Sequence, residues 1–137
     1  MTNPAIFRIL FISDIDLDWN YKANASTECY DAACCHKDVE ELADELKAPL
    51  YGTTKCNLPL EGFKKMIDTI NQLNTTNYLS FASIIYGGSS NADEPDYLTE
   101  AQTYLAEFEI FKYLREKNPL IGLYYAVGPH DLHPLKH

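Results

Sequence analysis

Three short apolar runs rich in strand formers alternate with two longer segments of helical period, and that alternation leaves few folds open. The runs are Phe7–Ser13, Tyr78–Tyr86 and Leu120–Val127, the last interrupted by Gly122. Each ends in a polar or glycine-rich cluster that no regular element continues through: Asp14–Asp18, Gly87–Asn91 and Gly128–Asp131. Between the first two, Leu60, Phe63, Met66, Ile67, Ile70 and Leu73 recur with helical spacing and predict a helix over Leu58–Leu73. Asn57 is placed as its N-cap, and Pro59 is tolerated in its first turn. Between the second and third runs, Leu98, Ala101, Leu105, Phe108, Phe111 and Leu114 predict a helix over Tyr97–Lys117. Asp96 or the Thr99/Gln102 pair can start it, Asn118-Pro119 ends it, and Lys112, Arg115 and Lys117 suit its C-terminal dipole.

Near-continuously apolar strands alternating with helices indicate an α/β protein, a β-α-β-α-β unit with a parallel sheet and right-handed crossovers. Two such crossovers advancing in one direction put both helices on one face of the sheet. The other apolar face then needs cover, from a protein partner or from another copy of the chain. The 137 residues make one domain, and neither Ile9–Ile12 nor Leu120–Val127 approaches the roughly 18 apolar residues of a membrane span. Eleven basic against twenty acidic residues, a formal charge of −9, argue against nucleic acid or anionic lipid held through phosphates.

The stretch 20–57 is a cysteine-rich loop carrying all four cysteines, Cys29, Cys34, Cys35 and Cys56. It also holds a predicted short helix near Asp38–Leu46, with Asp38 and Glu41 as a capping pair. An even cysteine count and two N-x-[ST] acceptors, at Asn24 and Asn74, point to a secreted or lumenal, oxidising compartment, although no secretory signal is visible. Pairing of the neighbours Cys34 and Cys35 is disfavoured, so Cys29 pairs with one or the other. A zinc knot with His36 nearby is the competing reading, but the paired spacing usual for zinc is missing.

In parallel sheets ligands sit at the carboxyl ends of strands, so chemistry is sought in the three polar clusters. Here the chain resembles the acid-sphingomyelinase-like branch of the calcineurin-like metallophosphoesterases. The resemblance runs through Arg8-Ile-Leu-Phe-Ile-Ser-Asp14, Cys29-x4-Cys34-Cys35, Tyr51-Gly-Thr-Thr-Lys-Cys-Asn-Leu-Pro-Leu60, Tyr86-Gly87 and Tyr125-Ala-Val-Gly-Pro-His-Asp131. It implies half of an α/β/β/α sandwich, residues 1–137 being a partial domain of that type, and disulfides Cys29–Cys34 and Cys35–Cys56. It also implies a two-metal site built at the strand ends, where a bridging carboxylate and metal-bound hydroxide act together.

The chain departs from that pattern. Asp14 matches, but Asp16 stands where the family has His, Gly88 where it has the bridging Asp, and Pro129 where it has a metal-binding Asn. Glycine has no side chain and proline offers only a carbonyl. Asp14, Asp16 and His130 are weak candidates for a single cation; His130, which matches the leaving-group acid, otherwise reads as a remnant, and no cofactor is expected. His130, His133 and His137 form a terminal cluster interrupted by Pro134, and the family's later histidine motifs do not appear before the chain stops. Gly87-Gly88-Ser89-Ser90 is no phosphate loop, for no Lys follows. The expectation is a non-catalytic, sphingomyelinase-like pseudoenzyme serving as a structural or interaction subunit of a homo- or hetero-oligomer. The alternative is the N-terminal part of a split or processed phosphodiesterase acting on sphingomyelin-like phosphodiesters. A binding module that keeps a phosphate or lipid-headgroup cleft without hydrolysing it is disfavoured by the acidic loops.

Overall fold

A computed structural model describes residues 7–28, 34–37, 43–76, 81–92, 99–128 and 131. The predicted order is present: β1 (Ile9–Ile12), α1 (Leu60–Thr76), β2 (Ser83–Tyr86), α2 (Glu100–Lys117) and β3 (Gly122–Tyr125). The strands form one parallel sheet in the order β1-β2-β3, with Ile9, Ser83 and Gly122 in register, and Ile12, Tyr86 and Tyr125 in register.

Alternation along the strands decides what each face does. Ile12, Ile84 and Tyr86 point into one core with Phe63 and Ile67 of α1 and Ala106, Ile110 and Leu114 of α2, so both helices cover the same face. The opposite face carries Ile9, Phe11 and Tyr124, which are 56%, 64% and 63% exposed, with Phe7 continuing the row at 79%. The bare apolar face expected from the crossover rule is present among the described residues.

Two local readings change. Helix α1 starts at Leu60, with the Pro59 carbonyl accepting from Gly62 and Phe63 N–H at 2.9 and 3.1 Å. Pro59 therefore holds the position read for Asn57, because its carbonyl is already aligned with the first turn. In α2 the buried positions are Thr103, Ala106, Ile110 and Leu114, while Leu105 and Phe108 are exposed. Large apolar side chains occur on every side of this helix, so spacing alone did not select the face. The small Ala106 and Thr103 let α2 approach the sheet. Its start is a capping box: Gln102 N–H donates to Thr99 Oγ1 at 3.2 Å, and Thr99 N–H donates to Gln102 Oε1 at 2.9 Å.

The cysteine-rich loop is ordered by main-chain bonds. Thr27 N–H donates to Leu46 O and Ala48 N–H to Ala25 O, drawing two stretches of the loop together antiparallel. Of the short helix expected over 38–46, a 3-10 turn at Asp44–Leu46 is seen; 38–42 lie outside the described residues. Cys35 is joined to Cys56, 21 positions later, and Cys34 is disulfide-bonded as well; Cys29 lies outside the described residues. Closing a loop of that length restricts the unfolded chain, so replacing Cys35 and Cys56 together by Ser lowers stability by about 3 kcal/mol in urea unfolding. A loss below the error of the measurement would mean that the main-chain bonds alone hold the loop.

Candidate functional site

The three strand-end loops lie side by side. The first, Ser13–Asp18, zips onto the second, Gly87–Ala92: Asp14 N–H donates to Gly88 O at 3.1 Å, Ile15 N–H to Ser89 O at 3.0 Å and Leu17 N–H to Ser90 O at 2.8 Å. Following this path requires positive φ at Asp14 (51°), Asp16 (48°), Gly88 (85°) and Ser89 (58°). Asp14 is exposed and Asp16 half-buried. Sequence reasoning placed both at this edge, and the structure keeps them there.

Gly88 packs directly on Gly128 of the third loop. A Cβ on Gly88 would lie 2.7 Å from Gly128 Cα and 2.8 Å from Ala126 O, and closer still to Gly128 N. These are backbone atoms and cannot rotate away. Where the resemblance implies a bridging carboxylate, this backbone has no room for one. The contact is reciprocal, for a Cβ on Gly128 would meet Ser89 Oγ at 2.8 Å.

Asp131 closes the arrangement. It is 1% exposed, and its carboxylate accepts from three backbone N–H groups: Ser89 at 2.9 Å, Ser90 at 2.6 Å and Gly128 at 2.7 Å. Sequence reasoning kept Asp131 beside His130 as part of a former metal motif; its role here is to tie the second loop to the third. His130 and Pro129 lie outside the described residues. Among the described residues no three His, Cys, Asp or Glu side chains converge as a metal site would need.

Beneath the loops sits an aromatic cluster. Tyr86 and Tyr125 stack at 5.9 Å, and Phe111 meets both edge-on, at 5.7 Å from Tyr86 and 4.6 Å from Tyr125. Tyr86 donates to Ser90 Oγ at 3.0 Å and Tyr125 to Glu107 Oε1 at 3.1 Å. Burial pushes both phenols well above the ordinary tyrosine value, and burial likewise raises the Glu107 carboxyl. These groups stay protonated longer than free ones and serve as hydrogen-bonded packing, with their hydroxyls turned to protein partners.

A second polar feature was not read from sequence. Asp18, 7% exposed, pairs through Oδ2 with His36 Nε2 at 2.6 Å, and its Oδ1 accepts from Asn20 N–H at 2.9 Å. Eighteen positions separate Asp18 from His36, and only the cross-linked loop brings them together. The nearest available signal was His36 directly after the bridged Cys35. Of the two glycosylation acceptors, Asn24 is exposed in a turn with φ 70°, whereas Asn74 falls within the last turns of α1.

The fold and site thus define an α/β unit with one covered sheet face and strand-end loops bonded to one another. No family model matches the chain. Sphingomyelin phosphodiesterase 1 of Caenorhabditis elegans is 23% identical over 124 residues, 90% of this chain and 21% of that protein. The similarity points to a distant sphingomyelinase-like relationship, and the chain spans about a fifth of that relative's length. No described helix is long and apolar enough to cross a membrane, and the disulfides are compatible with an oxidising compartment.

Proposed function

We propose that the chain is a non-catalytic, sphingomyelinase-like protein that works as a structural or interaction subunit. The observation carrying this reading is the Gly88–Gly128 contact, which leaves no space for a metal-bridging carboxylate at the end of β2. Asp131 supports it, since its oxygens are engaged with backbone N–H groups. The apolar row Phe7, Ile9, Phe11 and Tyr124 supplies the surface for assembly, buried by a protein partner or by another copy. The setting proposed is secreted or lumenal, with the exposed Asn24 as a glycan acceptor.

Native mass spectrometry of the purified chain with and without F11T/Y124T tests the assembly. The parent is expected as an oligomer or heteromeric complex, and the variant as a monomer of unchanged thermal stability. A parent that stays monomeric and takes up no partner would sink the subunit reading. A second reading, suggested by the distant similarity to a sphingomyelin phosphodiesterase, is one part of a split or processed phosphodiesterase. It requires sphingomyelin hydrolysis when the chain is mixed with a histidine-bearing second chain and a divalent cation, and no hydrolysis in that mixture removes it.

A further inference from the structure

A cleft of 230 Å³ opens between the end of the first loop and the segment that precedes α1, lined by Asp18, His36, Thr54, Lys55, Cys56 and Asn57. Its walls are tied together. The Cys35–Cys56 disulfide links its two sides, Leu17 bridges Leu58, and Asp18 N–H donates to Leu58 O at 2.9 Å. The cleft is smaller than the roughly 300 to 1,000 Å³ of drug-sized pockets, a scale that suits a small ion or headgroup.

The lining favours an anion. Asp18, the one carboxylate bordering it among the described residues, has its oxygens engaged by His36 and Asn20 N–H. That partner engages Nε2, leaving Nδ1 as the ring nitrogen that can turn to a ligand. Lys55 is exposed and adds an ammonium; Thr54 and Asn57 add a hydroxyl and an amide. In a chain of net charge −9, an ammonium, an imidazole, a hydroxyl and an amide meet in one cross-linked cleft.

We propose that this cleft binds a tetrahedral oxyanion of phosphate type, with Lys55 as its charge partner and His36, Thr54 and Asn57 as further polar partners. The site shares Asp18 with the first strand-end loop, but it does not depend on the non-catalytic reading. The test is a titration of the oxidised, 15N-labelled chain with inorganic phosphate, followed by amide shifts of Thr54–Asn57 and the His36 ring. Saturable shifts confined to these residues are expected. Lys55→Gln, at an exposed position, should weaken binding about tenfold, the weight of one charge-assisted hydrogen bond, with thermal unfolding unchanged. His36→Gln should weaken it to a similar degree. A parallel arm with phosphatidylcholine vesicles, with and without phosphatidic acid, separates a lipid headgroup from the free ion: either source binding at these residues supports the site. Absence of saturation at millimolar phosphate together with no vesicle response, or undiminished binding by the Lys55→Gln protein, would overturn it.

Discussion

Replacing Gly88 by Asp lowers stability by about 2 to 5 kcal/mol and creates no metal-dependent hydrolysis. Two costs add. Gly88 has φ 85°, a conformation that costs an L-residue roughly 1 to 2 kcal/mol. Its Cβ would also press on Gly128 Cα at 2.7 Å and Ala126 O at 2.8 Å, and forced overpacking typically costs about 1 to 3 kcal/mol. The measurement is urea unfolding of Gly88→Asp and of the milder Gly88→Ala, with sphingomyelin hydrolysis assayed in added divalent cation. Gly128→Ala, pressing on the same contact from the other side, should lose stability as well. A Gly88→Asp protein as stable as its parent and active with metal would refute both the packing argument and the non-catalytic reading.

Substituting Asp131 by Ala should be as damaging. The carboxylate satisfies three buried backbone donors, at Ser89, Ser90 and Gly128, and its removal leaves them without partners. The expected loss is about 3 to 5 kcal/mol, because buried unsatisfied donors and the breaking of a buried charged network are each expensive. Asp131→Asn is expected to fall between, since one amide oxygen cannot accept all three bonds while the NH2 group faces donors. Hydrogen exchange adds a local readout. Amides of Ser89, Ser90 and Gly128 should lose protection first, and unchanged protection there would show that other bonds hold the loops.

The relation between motif and role differs from one strand-end residue to the next. Gly88 and Pro129 were recognisable as departures from a metal-binding pattern, because a missing side chain can be read directly from the chain. Asp131 was legible only as a match to that pattern. Its actual partners lie 41 and 42 positions away at Ser90 and Ser89, and no spacing rule brings them together. The Asp18–His36 pair depends in turn on the disulfide at Cys35 and on the Leu17–Leu58 bridge, two long-range closures acting together.

The helices make the same distinction. Of the two starts open for α2, Asp96 and the Thr99/Gln102 pair, the structure takes the second, a capping box that is local and satisfied within four residues. The buried face of α2 was not marked, for apolar residues surround it and the sheet chose Thr103, Ala106, Ile110 and Leu114. Likewise, a polar Asn57 looked like a cap, yet the Pro59 carbonyl was already placed to begin α1.

Element order, the parallel sheet and the face left uncovered among the described residues followed from the amino-acid sequence by itself. Apolar continuity, helical period and crossover handedness act over short stretches of chain or apply to any chain. The close approach of Gly88 to Gly128, the burial of Asp131 and the cleft beside His36 were decided by the tertiary structure alone. Each is a meeting of backbone or polar atoms from distant segments, set by how the loops lie once the sheet has formed.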